Sequence, residues 1–431
     1  MEHMKSVRDR SSVMQIVRVA SGNCLEQYDF FVYGFYAAYI ARSFFPTGDN
    51  ATSLMLSLAT FGAGFLMRPL GAIFLGSYID RVGRRKGLIV TLAIMAVGTL
   101  TIAMTPSYEA IGLLAPVIVL VGRLLQGFSA GAESGGVSVY LAEIASPKSR
   151  GFFTSWQSAS QQVAVMIAAA IGLALQSTLS PEQMNDWGWR VPLLIGCLII
   201  PVILWLRRSL PETKAYLHME HKAHSIGESL RELQQSWGLI LTGMAMSILT
   251  TTTFYMITAY TPTFGEKALG LSPQDVLLVT IMVGVSNFLW LPIGGALSDR
   301  IGRTPILLVV PVTVLAIAFP LMSWLVAAPT FGALAAVLLT FSACFGLYNG
   351  ALIARLTEIM PPAIRTLGFS LAFSLATSLF GGFTPLVSTA LIHATGSNSA
   401  PAIWLCFAAF ISFVGVAAST RLSRPIAEGA R

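Results

Sequence analysis

Five ionisable residues stand inside long apolar runs of this 431-residue chain: Glu26, Asp29, Arg68, Arg123 and Glu133. A charge in hydrocarbon costs at least about 2.5–3.5 kcal/mol on insertion scales, so each needs a partner or a task. A guanidinium fork matches a carboxylate through two parallel hydrogen bonds. A buried carboxyl whose arginine partner comes and goes would alternately hold and release a proton. The chemistry within reach is recognition of an anionic ligand by Arg123 and carriage of a proton by Asp29, Glu26 or Glu133. A fixed salt bridge from Arg123 to Asp29 or Glu133 is the alternative, and the two are compatible if the bridge exchanges for ligand. Arg68 directly precedes Pro69, where a kink frees carbonyls, so pairing between helices suits it better than ligand contact.

Neutral polar groups would complete a binding cradle. Asn23 lies in the first apolar run, and Tyr33 shares its helical face. Gln157 and Gln161 are spaced i, i+4 and share another. Tyr348 and Asn349 stand in a late run. Each has a plainer reading, since amides in lipid-buried helices commonly hydrogen-bond a neighbouring helix.

The elements that position these residues follow from composition. Charged residues are 11% and hydrophobic residues 55% of the chain, with a mean hydropathy of +0.71. A soluble domain carries about a quarter charged residues, so lipid is the expected solvent. Twelve stretches fit the roughly 20 residues a helical span needs, the first at 18–41 and the last at 401–420. The expected fold is an all-α membrane protein of two six-helix bundles. Residues 1–206 and 237–431 form the bundles, and the polar stretch 207–236 is a cytoplasmic linker. Lys and Arg cluster in alternate loops, while the other side keeps only Arg42, Arg190 and Lys267. That asymmetry places both termini in the cytoplasm. The same scatter of basic residues between apolar runs argues against nucleic acid as a partner. The four cysteines look like small hydrophobes. The five histidines build no metal site or triad, and no phosphate-binding GxxxxGK[ST] occurs. An enzyme is not expected.

Two tracts recur half a chain apart. Gly76, Asp80, Arg81, Gly83 and Arg84 match the spacing of Gly295, Asp299, Arg300, Gly302 and Arg303. Glu143, Pro147 and Arg150 match Glu358, Pro362 and Arg365. The first tract resembles the signature of the major facilitator superfamily, and Pro211-Glu212-Thr213 resembles the element that ends the sixth span in many members. Narrower stretches resemble its metabolite–proton symporter branch: Arg68-Pro69-Leu70-Gly71, the tract from Gly122 to Gly131, and Trp187-Gly188-Trp189-Arg190. The tracts Ser21 to Phe31 and Thr154 to Gln162 are similar to bacterial citrate–proton symporters and their tricarballylate-carrying relatives. Those citrate carriers place Leu and Phe where this chain has Ser134 and Tyr28, which leaves citrate and tricarballylate both open.

The resemblance implies the major facilitator fold, with a central site near the midplane and alternating access by rocking. It implies proton-coupled uptake of a tricarboxylate across a bacterial inner membrane, by a monomer in the bilayer driven by the proton gradient, with no cofactor and no metal. Symport of a zwitterionic osmolyte of the proline or betaine type is the rival, and a nutrient sensor that no longer transports is a third reading. Substrate contacts are expected from Arg123, Asn23, Gln157, Gln161, Tyr33, Tyr348 and Asn349. Gating is expected from the loop residues Gly76, Asp80, Arg81, Gly83, Arg84, Asp299, Arg300, Glu143, Arg150 and Arg365. Asp80 would meet a helix N-terminus across the bundle interface, where the dipole favours an anion, with the Asp299 tract as its counterpart.

Overall fold

Long apolar runs without strict alternation become helices, and every regular element among the described residues is helical. The computed structural model describes residues 27–82, 84–131, 133–198, 236–360 and 365–422, with Cys24 and Gln234. Its apolar helices, in chain order, are α1 (27–44), α2 (Asn50–Leu75), α3 (Ile89–Met104), α4 (Leu114–Ile144), α5 (Arg150–Thr178), α6 (Gly188–Leu198), α7 (Trp237–Ile257), α8 (Pro273–Ile301), α9 (Arg303–Ala327), α10 (Phe331–Ile359), α11 (Leu367–Thr395) and α12 (Pro401–Thr420). Among the described residues, nine of these, all but α1, α3 and α6, are long and apolar enough to cross a membrane.

Polar side chains close the helix starts. Asp49 accepts from the N–H groups of Ala51 and Thr52 at the head of α2. Ser272 and Thr330 do the same for α8 and α10. Each cap satisfies donors that have no partner inside the helix. Phe74, Val309, Phe319 and Phe410 stand exposed on the outside. In water such a belt would be an aggregation surface; in lipid it is the expected finish.

Helices from the two sides of the 199–233 stretch meet in pairs: α5 against α8, α2 against α11, and α1 against α7, where the Phe31 and Phe254 rings meet with centroids 5.5 Å apart. Glycine sets the tightest crossing within the first half. A Cβ on Gly127 of α4 would fall 1.6 Å from the Gly64 carbonyl oxygen of α2, and one on Gly131 would fall 2.0 Å from that of Arg68. The two backbones touch, and the contact fixes where Arg68 stands. Gly127→Ala is expected to destabilise the protein by on the order of 3 kcal/mol or more, because backbone cannot yield as a side chain can. Loss of the monodisperse peak and a lowered melting temperature in detergent would register it; an unchanged melt would mean the helices cross more loosely than this.

Candidate functional site

Where the two halves meet near mid-helix, a small cavity of about 30 Å³ opens between six helices. The first half contributes Gln27 from α1, Arg68 from α2, and Ser158 and Gln161 from α5. The second contributes Thr250, Phe254 and Tyr255 from α7, Asn349 from α10 and Thr377 from α11. Thr377 opens a π-helical turn, Thr377–Gly381, an irregularity frequent at functional positions. The adjacent Ser378 donates its hydroxyl hydrogen to the Phe65 carbonyl of α2, so the same turn ties the second half to the first.

Arg68 is 4% exposed, and its Nε and Nη2 have no hydrogen-bond partner. Its guanidinium lies 4.5 Å from the centre of the Phe30 ring and 4.6 Å from that of Phe65. No carboxylate of the described residues comes within ion-pair distance of it. The ion pairing expected of Arg68 finds no carboxylate partner among the described residues, and the side chains of Glu26 and Glu133 lie outside them. Two ring faces help hold a desolvated cation, but they leave its donors unmet, and those donors stand at the cavity. Gln27 Oε1, Thr250 Oγ1, Asn349 Oδ1 and Thr377 Oγ1 are likewise buried without a partner. Buried polar groups are ordinarily satisfied, so such a cluster calls for an explanation.

Arg123 has the opposite setting. It is fully buried, donates from Nη1 to Gln126 Oε1 at 2.7 Å and from Nη2 to the Phe61 carbonyl at 3.2 Å. The rings of Phe30, Tyr33 and Phe61 surround its guanidinium at 4.6–5.1 Å. It does not line the cavity. Gln126 Nε2 in turn donates to Thr99 Oγ1 at 2.9 Å, and Thr99 donates to Asp29 Oδ2. Arg123 and Asp29 are thus joined through two neutral side chains, neither directly bridged nor open to ligand. Asp29 faces α3 and α6, where a Cβ on Gly196 would sit 2.6 Å from its Oδ1.

The remaining expected contacts divide. Gln161 and Asn349 line the cavity. Gln157 accepts from Ser158 at 2.7 Å. Tyr33 donates to the Ser57 carbonyl at 3.4 Å. Tyr348 donates to the Met246 carbonyl at 2.7 Å and borders a separate small pocket inside the second half. Asn23, Glu26 and Gly83 lie outside the described residues, as do the side chains of Glu133, Asp80, Arg81 and Arg84 and the surroundings of Gly76. Sequence reasoning missed Gln27, Thr377 and the Thr99–Gln126 link. Gln27 sits two residues from Asp29, but nothing in its type marks it.

At the end carrying the α8–α9 loop, Asp299 caps α5 across the interface. Its two oxygens accept from the N–H groups of Gly151 and Phe152, each at 2.9 Å. Arg303 holds Asp299 at 2.6 Å and reaches Glu358 at 3.3 Å, while Arg150 stands 3.7 Å from Glu358. Arg300 and Glu143 are exposed, and Arg365 keeps a buried Nε without a partner. Asp299→Asn replaces charge-assisted bonds with a single acceptor. With each such bond contributing about 1.5–3 kcal/mol, transport is expected to slow at least about tenfold while ligand affinity stays within about threefold. Solvent accessibility of a cysteine placed at this end would rise. Unaltered accessibility would dismiss the latch.

The opposite end closes through rings and small residues: Phe383 meets Gly62, and the Phe65 ring meets Gly382. Beyond α7, Glu266 occupies a π-helical turn. Burial pushes its carboxyl up to about 7, against the opposing pull of Lys267 and Arg42. A folded-state value above the unfolded one means stability present at acid pH and lost as pH rises from about 4.5 through 7. Glu266→Gln should flatten that decline in a thermal melt series, an effect of roughly 1–3 kcal/mol; an equally steep decline in the variant would assign it elsewhere.

A family profile described as sugar (and other) transporter matches residues 14–238 and again 218–421. A citrate-proton symporter of Salmonella typhi is 57% identical over 424 residues, 98% of each chain. One of Klebsiella pneumoniae is 56% identical, covering 96% of this chain and 94% of its own length. A proline/betaine transporter of Escherichia coli (strain K12) is 30% identical, covering 98% and 86%. Among solved structures, the major facilitator superfamily proton:xylose symporter XylE superposes with a TM-score of 0.76 over 96% of each chain, at 18% identity.

Proposed function

The chain belongs to the sugar (and other) transporter family of the major facilitator superfamily, and from that premise we propose that it imports citrate, or the kindred tricarballylate, together with protons. It is a transporter and not an enzyme, driven by the proton gradient without a cofactor. The observation that carries the substrate reading is the unpartnered guanidinium of Arg68 in a cavity otherwise walled by amides, hydroxyls and rings. A carboxylate meets its fork. Amides and hydroxyls from both halves take the rest of the ligand, so binding bridges the two bundles, which is the condition for a substrate to drive rocking.

Residues 207–236 link bundles 1–206 and 237–431 on the cytoplasmic side, with twelve spans and both termini in the cytoplasm. The Asp299 latch then lies at the cytoplasmic end, and the aromatic layer around Phe65 closes the outer one. The protein works as a monomer in a bacterial inner membrane. Asp29 carries the coupled proton: it is a carboxyl at span depth whose tie to a cation, among the described residues, runs through Thr99 and Gln126. Glu26 and Glu133 are the other carboxyls for that task.

Counterflow in proteoliposomes with labelled citrate and tricarballylate tests the reading. Exchange of either supports it, and binding without flux would mark a sensor. The Phe254 and Tyr255 rings beside Arg68 would suit the ammonium of a zwitterion. Proline and betaine therefore belong in the same assay, and their exchange in place of the tricarboxylates would replace the substrate.

A further inference from the structure

The cavity's charge says which form of the ligand fits. Among its described lining residues only Arg68 carries charge; α5, α10 and α11 supply none, and α7 supplies the neutral phenol of Tyr255. Among the described residues, Arg123 stands behind the Phe30 ring that it shares with Arg68, and Asp29 lies beyond it. The hydrogen-bonded run through Gln126 and Thr99 joins these two, and their charges cancel while Asp29 is ionised. The described residues of the wall then present one net positive charge. A fully ionised tricarboxylate would bring two further negative charges to a wall whose described residues offer no second cation, at a cost in desolvation.

The unmet neutral groups point the same way. Gln27 Oε1 and Asn349 Oδ1 are amide oxygens, each on a residue 2% exposed and each without a donor. An ionised carboxylate only accepts, so it meets these two amides through their N–H groups alone and leaves the oxygens without a donor. A protonated carboxyl donates. Resting on the reading of this cavity as a tricarboxylate site, we infer that the species bound carries about one net negative charge. One carboxylate engages Arg68, and the other carboxyls enter as neutral acids donating toward Gln27 and Asn349. Part of the proton flux then travels on the substrate itself.

The test uses the purified full-length chain in nanodiscs, with equilibrium binding measured from about pH 5 to about pH 8. The probes are citrate and a citrate diamide, whose two carboxamides are neutral at every pH and donate as carboxylic acids do. Citrate affinity is expected to fall about 10-fold for each proton lost per pH unit as its singly charged form is depleted. The diamide's affinity should stay flat and exceed that of citrate at the alkaline end, which also excludes titration of the protein as the cause. Tight citrate binding at about pH 8 with loss of the diamide overturns this inference alone. So does citrate binding that requires magnesium and vanishes with a chelator. No binding of citrate or tricarballylate at any pH overturns both it and the substrate reading.

Discussion

Arg68→Ala is expected to lower citrate affinity by at least about 100-fold, close to 3 kcal/mol, while the protein stays folded. The figure is that for truncating one partner of a buried charged pair in a binding site. The fold tolerates the loss because Arg68 makes no hydrogen bond to the rest of the chain through Nε or Nη2, and it leans on Phe30 and Phe65 only through their faces. Arg68→Lys should recover part of the affinity, since the charge returns without the planar fork. Arg123→Ala should behave in the reverse way. It strips Gln126 of its donor and leaves a void under three rings, a change of about 3–5 kcal/mol in stability, so its melting temperature falls before any affinity can be read. Isothermal binding beside a thermal melt separates the two arginines. If Arg68→Ala binds citrate within threefold of the unaltered protein, Arg68 is not the anchor.

The two arginines also mark where sequence reasoning stops. Each lies in an apolar run, and a cost per charge cannot tell them apart. What divides them is the glycine-lined crossing of α2 and α4. Gly127 and Gly131 bring the helices into backbone contact and draw Arg123 under the Phe61 carbonyl and three rings. That is a tertiary outcome of residues far apart in the chain. Gln27 and Thr377 were illegible for a related reason: their types are ordinary, and only the meeting of six helices gives them a common cavity. The helices themselves were legible, because hydrocarbon forces length and apolarity into a continuous run. So was the kind of latch, an aspartate on a helix start across the interface, since a repeated Gly–Asp-Arg–Gly-Arg tract has little other use at a helix end. The structure displays it at Asp299 on α5, the counterpart of the tract in which Asp80 was expected to act.

Asp29→Asn is expected to separate exchange from accumulation. An amide is nearly isosteric with the carboxyl: its oxygen still accepts from Thr99, so the run back to Gln126 and Arg123 survives and the fold is little disturbed. What disappears is the ability to take up and release a proton. Asp29 faces α3 and α6 and not the ligand, so citrate counterflow, which needs no net proton movement, should persist within about threefold. Accumulation driven by a pH gradient should fall to the part carried by protons on the substrate itself. The two outcomes differ because a proton-bearing group of the protein adds to coupling when it feels the conformational change. A carboxyl linked to Arg123 through two hydrogen bonds, beneath a ring that Arg68 also leans on, is placed to feel it. Should Asp29→Asn concentrate citrate against a gradient as far as the unaltered protein does, the coupled proton rides on another carboxyl or on the substrate alone. Combining that variant with the diamide distinguishes these: an amide-substituted ligand that is exchanged but never concentrated would assign the remaining proton to the substrate.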